Sequence, residues 1–368
     1  MSASLYGGLN YDSLYHKYTI SDAILQRDFA LFRKNKIANI TLSLYWYRIE
    51  PAPSIYDDVY LDNILRICSI ASQYNLNVMI SIHTLWGTDS LWCTPPWIVD
   101  PVTNTNQGLA VVRSVSANQS YVNAFKHVVD YLTGAGILNL WAWSILNEPW
   151  YWGRTSSEHD FITENGNTQK ENFIQLMQTL SAYVKSKDSR PVTVRFVNAH
   201  PITATTAKNI FVDDWGWDNR LFSSCDFIGF NTYIPDPADP IYSVIDNITK
   251  INFAGCKNLG KNTWVTEFGV NNSDDEIQRQ VYKSNMDYFY TVETNGVTAW
   301  TWMSEVAPVG WDQNPGFGGM NLANMDGTAR PAFYEMASRI IPPTTLPFHD
   351  NFIDLSKWLP VAGTWSVK

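Results

Sequence analysis

Short runs of apolar and β-branched residues alternate, eight times over, with longer stretches in which apolar side chains recur at helical spacing. Runs that are apolar at successive positions suit parallel strands buried on both faces, and such strands need a covering helix between each pair. The strand candidates are Ser4 to Leu9, Asn39 to Leu44, Val78 to His83, Leu138 to Leu146, Val192 to Val197, Asp226 to Asn231, Trp264 to Glu267 and Val297 to Trp302. Five helices show one apolar stripe each. The first carries Leu25, Phe29 and Phe32 behind a Ser21 N-cap, and the second Leu61, Leu65 and Cys68. Tyr121, Phe125, Val128 and Leu132 mark the third, Phe173, Leu176, Leu180 and Val184 the fourth, and Ile277, Val281, Tyr288 and Val292 the seventh. The other three fall by elimination near Ala204 to Asn209, Ile241 to Gly255 and Arg330 to Ile340. Eight such units predict an α/β fold, a (β/α)8 barrel over residues 1–341. A doubly wound open sheet, the other candidate, would want a glycine-rich phosphate turn after the first strand, and Gly7-Gly8-Leu9-Asn10 is not one.

Beyond Ile341 the texture changes to Pro342-Pro343-Thr344-Thr345-Leu346-Pro347, a stiff linker composition. The stretch from His349 to Lys368, with Asp350-Asn351-Phe352, Trp358 and Gly363-Thr364-Trp365, resembles the opening strands of a concanavalin-like β-sandwich. It is too short for an independent sheet. Residues 342–368 therefore read as a linker and the truncated start of a further module, or as a tail packed back on the barrel.

A formal net charge of -9 sets the chain against polyanions, which excludes nucleic acid as a partner. The longest nearly apolar stretch, Ile137 to Leu146, is too short for a bilayer and is interrupted by Asn139, so no membrane role is expected. Residues 1–20 lack a basic segment followed by an apolar run, and no signal peptide is read there. Four cysteines, Cys68, Cys93, Cys225 and Cys256, show no metal or redox spacing, although Cys225 and Cys256 are candidates for a bridge. The acidic doublets Asp57-Asp58 and Asp213-Asp214 are better read as solvated loop charges than as calcium ligands. No metal or organic cofactor is expected. The hydrolase elbow G-x-S-x-G, the zinc helix H-E-x-x-H and the Walker A loop are all missing.

Barrels of this kind place reactive groups at the carboxyl ends of their strands. Strand four ends Leu146-Asn147-Glu148-Pro149-Trp150 and strand seven ends Thr266-Glu267-Phe268-Gly269, so each delivers one carboxyl to the rim. Two carboxyls about 5 Å apart let one attack an anomeric carbon while the other protonates the leaving oxygen, with retention of configuration. Sixteen tryptophans, several in polar or proline-rich stretches, supply flat surfaces suited to sugar rings. Those on presumed rim loops are Trp86, Trp92, Trp97, Trp150, Trp152, Trp215, Trp217 and Trp311.

At these residues the chain resembles the clan A glycoside hydrolases, most closely the family 5 cellulases and mannanases, over nearly all of residues 4–341. The resemblance implies Glu148 as acid/base, Glu267 as nucleophile, and Asn147 at the sugar 2-hydroxyl. It also implies His83, Asn231, Tyr233, Trp302 and Trp46 as site residues, with Trp86 and Trp150 as further sugar contacts, and extends to Glu50-Pro51 and the Asp326-Gly327 turn. There are two departures. The family's strand-two Arg, five positions before Trp46, is Thr41 here, and its strand-six His is Asn231. Loss of a cation beside Glu267 raises its pKa unless another donor substitutes, and Arg48 and Arg195 are the candidates. Strand parity leaves Arg195 facing either the barrel or the helix layer.

The expected activity is cleavage of a β-linked polysaccharide, a β-1,4-glucan or β-mannan, by double displacement. The alternatives are an exo-acting β-glycosidase, such as a β-mannosidase or β-galactosidase, and a polysaccharide-binding barrel without turnover. An extracellular monomer, with further carbohydrate-binding modules in a longer chain, fits the resemblance.

Overall fold

The computed structural model of the chain describes residues 5–11, 20–83, 94–149, 161–214, 217–302, 320–324 and 326–340. Eight parallel strands close into a barrel: β1 (Tyr6–Asn10), β2 (Asn39–Tyr45), β3 (Asn77–His83), β4 (Leu140–Asn147), β5 (Val192–Val197), β6 (Phe227–Asn231), β7 (Asn262–Glu267) and β8 (Gly296–Ala299). Sequential strands pair, and β1 closes the ring against β8 through Tyr6↔Gly296 to Leu9↔Ala299. Around it lie α1 (Asp22–Lys34), α2 (Asp58–Gln73), α3 (Val115–Gly134), α4 (Gln169–Lys187), α5 (Arg220–Ser223), α6 (Tyr242–Asn258), α7 (Asp275–Thr291) and α8 (Pro331–Arg339).

The helices start where side-chain caps supply their orphan amides with acceptors. Ser21 accepts from the Ile24 amide, Asp57 from Tyr60, Thr168 from Glu171, and Asp274 from Glu276 and Ile277. Asp57 is thereby committed to capping. The stripes of α1, α3 and α4 are buried as their spacing requires, whereas Ile277, at the exposed start of α7, is 47% accessible. The segment read as the fifth helix is instead a hairpin, His200–Thr203 paired with Thr206–Lys208. Its threonines favour extended backbone, and the Thr203 hydroxyl accepts from the amides of Thr205 and Thr206 to turn the chain. Cys68, Cys225 and Cys256 are free buried thiols, each pushed up to about 12 by desolvation, so Cys225 and Cys256 form no bridge. Cys93 and residues 342–368 lie outside the described residues. Among the described residues no helix is long and apolar enough to cross a membrane.

Inside the barrel the side chains change character with height. Tyr6, Met79, Trp141, Ala142, Phe227 and Trp264 form an apolar floor, in which Trp141 stacks on Phe227 at 5.4 Å and leans on Trp264 at 5.0 Å. The Trp264 indole needs the absence of a side chain at Gly296, where a Cβ would stand 2.4 Å from the ring. Its Nε1 donates to Thr298 Oγ1 at 2.9 Å. Gly296→Ala is therefore expected to destabilise the barrel by about 1–3 kcal/mol through overpacking. An unchanged urea midpoint for that variant would contradict this reading of the floor. Above the floor lies a polar layer containing Asn10, Ser81, Ser144 and Arg195, joined by hydrogen bonds described next.

Candidate active site

The carboxyl ends of β4 and β7 are both irregular. Register slips between Ser144 and Asn147 on β4, so that Asn147 stands opposite Arg195, and again where Asn231 of β6 stands opposite Glu267. Such slips re-aim a strand end. The Glu148 amide donates to the Arg195 carbonyl at 2.7 Å, and the residue itself adopts a left-handed backbone with φ 49°. After Glu267, Gly269 brings the backbone against the Trp300 carbonyl, where a Cβ would be only 2.6 Å away.

Both glutamates are nearly buried, at 6% and 5% exposure, and they are held differently. Asn231 Nδ2 donates to Glu148 Oε1 at 2.9 Å and to Asn147 Oδ1 at 3.3 Å. The Asn231 orientation is set from behind, because Thr266 Oγ1 donates to its Oδ1 at 2.8 Å. Glu148 Oε2 is buried and has no partner among the described residues. Burial raises the Glu148 pKa above the ordinary carboxyl value, only partly opposed by Asn231 and the nearby Arg195 charge. Glu267 takes a donor on each oxygen: the Arg195 guanidinium on Oε1, and the Tyr233 phenol on Oε2 at 2.8 Å. Tyr233 stays protonated, since burial and the two carboxyls, Glu267 ahead of Glu148, push its pKa well up.

Arg195 thus faces the barrel interior, and it is fully buried. Its Nη1 donates to Ser81 Oγ at 3.2 Å and its Nη2 to Asn10 Oδ1 at 3.1 Å, with the Thr266 carbonyl at 3.4 Å. Small neighbours make the room. Ser81 bonds Ser144 at 3.2 Å, and Gly229, opposite Arg195 in register, could carry no Cβ without meeting Thr266 and the Val194 carbonyl at 2.9 Å. Arg48, the other candidate donor, lies over the Tyr60 ring at 5.3 Å.

The aromatic candidates divide. Trp302 does not end a strand, because β8 stops at Ala299. Its indole is fully buried, edge-on to Phe32 at 4.7 Å and Phe333 at 5.3 Å, with Nε1 donating to Asp28 at 3.0 Å. That is a packing role, which corrects its reading as a sugar-stacking ring. Trp300, which the sequence reading passed over, follows β8 directly, is part-exposed, and its amide donates to the Phe268 carbonyl at 2.8 Å. Its position in the same apolar run was the available signal. Trp46 is likewise fully buried, with Nε1 donating to Glu50 at 2.8 Å and its ring edge-on to Tyr121 and Trp97. It too offers no free face. Trp97 and Trp217 pack against the core while part-exposed. His83 ends β3 opposite Tyr45. Trp86, Trp92, Trp150, Trp152, Trp215 and Trp311 lie outside the described residues. Sequence reasoning also missed Asn10, Ser81 and Thr266, whose signal was a polar residue inside an apolar strand.

The fold is a (β/α)8 barrel, and solved structures share it. Among solved structures it is similar to an exo-β-1,4-mannosidase from Opitutaceae bacterium strain TAV5, at 14% identity and TM-score 0.69, covering 91% of this chain and 59% of that one. It is also similar to an endo-β-1,4-mannanase from Thermotoga petrophila, at 13% identity and TM-score 0.65, covering 92% and 76% of the two chains. A third is the GH5_18 protein from Streptomyces cattleya in complex with GlcNAc, at 11% identity and TM-score 0.64, covering 92% and 80%. No family model matches the sequence, and no curated protein is similar to it.

Proposed function

We propose that the chain is a retaining glycoside hydrolase acting on β-linked glycans, with β-1,4-mannan the first substrate to test and β-1,4-glucan the second. The observation that carries this is the asymmetric carboxyl pair. Glu267 has a donor on each oxygen, while Glu148 has one oxygen without a partner among the described residues, in a site that favours its protonated form. Environments that divide two carboxyls in this way suit a nucleophile and an acid. The mannosidase and mannanase named among the similar structures support the choice of mannan.

In the first step a Glu267 oxygen attacks the anomeric carbon as the glycosidic C–O bond breaks. The proton on Glu148 passes to the departing oxygen, leaving a glycosyl ester on Glu267 and an ionised Glu148. Water then gives a proton to Glu148 and its oxygen to the anomeric carbon, and the ester bond breaks to restore the Glu267 carboxylate. Asn231 holds Glu148 through both steps, and the part-exposed Trp300 is the ring placed to stack on a sugar.

Incubation with β-1,4-mannan, followed by proton NMR of the fresh products, tests this directly. The β-anomer should appear first and mutarotate later. Initial α-anomer would mean inversion, and absence of any reducing sugar from mannan, glucan and xylan would leave only a binding barrel.

A further inference from the structure

Thr41 stands on β2 where the resemblance implies a cation, yet a guanidinium reaches Glu267 from another strand. We propose that Arg195 on β5 is the positioning residue that keeps Glu267 ionised, and that this buried cation determines which of the two carboxyls retains the proton. The proposal rests on the hydrolase reading above.

Two nearly buried carboxyls share one site, and Arg195 is directly paired with only one of them. A buried carboxylate without a counter-ion is costly, and a guanidinium stays charged at any working pH. One cation can therefore offset one carboxylate, and the second carboxyl keeps its proton. Geometry decides which. Acceptors on β1, β3 and β7, namely Asn10, Ser81 and the Thr266 carbonyl, aim the fork at Glu267, whereas among the described residues Glu148 receives the uncharged Asn231 amide. Among the described residues, the titratable and charged groups shown against Glu267 are Arg195 on β5 and Tyr233 beyond β6, and Glu148, beyond β4, acts on the same Tyr233. His83 closes β3, and β1 brings the uncharged Asn10.

The test isolates the nucleophile. The full chain, wild type and Arg195→Met, is treated with 2,4-dinitrophenyl 2-deoxy-2-fluoro-β-mannoside and the corresponding glucoside, whose leaving group needs no acid. Labelling of Glu267 is followed by mass spectrometry across acid and neutral pH. Arg195→Met should label on the order of 100-fold more slowly, with the midpoint of its acid limb moved to higher pH by about one unit or more. Arg195→Lys should hold a midpoint nearer to wild type. If Arg195→Met does not fold, Arg195→Gln is the second neutral variant and should shift in the same direction. Labelling of wild type together with an unmoved midpoint in the neutral variants overturns the role of Arg195, even if their rates fall. Wild type that is never labelled at Glu267 by either reagent overturns the hydrolase reading, and this proposal with it.

Discussion

Glu267→Gln is expected to lower kcat on polymer and aryl glycoside alike by about 10⁴-fold or more, because an amide cannot form the glycosyl ester through which both steps pass. The Tyr233 phenol still has an oxygen to donate to, so the side chain need not move far. Arg195, however, would then face a neutral amide while fully buried. Leaving a buried charge uncompensated is destabilising, so the variant should also unfold at lower temperature than wild type. Activity is best compared on fractions shown by circular dichroism to be folded. Turnover within tenfold of wild type on such material would remove Glu267 from the chemistry.

Glu148→Gln should instead divide substrates by their leaving groups. Unactivated mannan needs a proton at the departing oxygen, and its turnover should fall by about 10²–10⁴-fold, the usual worth of general acid catalysis. Dinitrophenyl glycosides should form the glycosyl ester nearly as before and accumulate it, since deglycosylation has lost its base. The pH profile carries a separate sign. The proposed first step needs Glu148 protonated, and burial raises its pKa. In wild type kcat/KM therefore falls as pH rises through that value, and this alkaline limb should vanish in the variant. An alkaline limb that survives unchanged would assign the acid to another group.

Much of the barrel could be read from the sequence because strands buried on both faces leave continuous apolar runs. The same property hid Arg195. In Val192 to Val197 Thr193 and Arg195 alternate with Val192, Val194 and Phe196, but with both faces buried nothing says which set faces the barrel, and only the partners Asn10, Ser81 and Glu267 decide it. The strand-end positions of Glu148 and Glu267 were legible because each follows an apolar run, although the register slips beside them have no sequence mark. Trp302 was misplaced because the apolar run continues three residues past Ala299, where β8 stops, and the chain turns inward to pack that indole on Phe32 and Phe333. The hairpin at His200–Lys208 escaped because so short a stretch carries no period, and its form is set by threonine hydroxyls bonding locally.

The backbone at Glu148, with φ 49°, has a consequence for how such a chain would drift. A residue with a Cβ is strained in that conformation and glycine is not. Selection for heat tolerance alone would thus draw position 148 toward glycine, trading the carboxyl for a relaxed turn. Where nothing else holds that carboxyl in place, this glutamate should be among the first residues to go, well before the tryptophans of the floor.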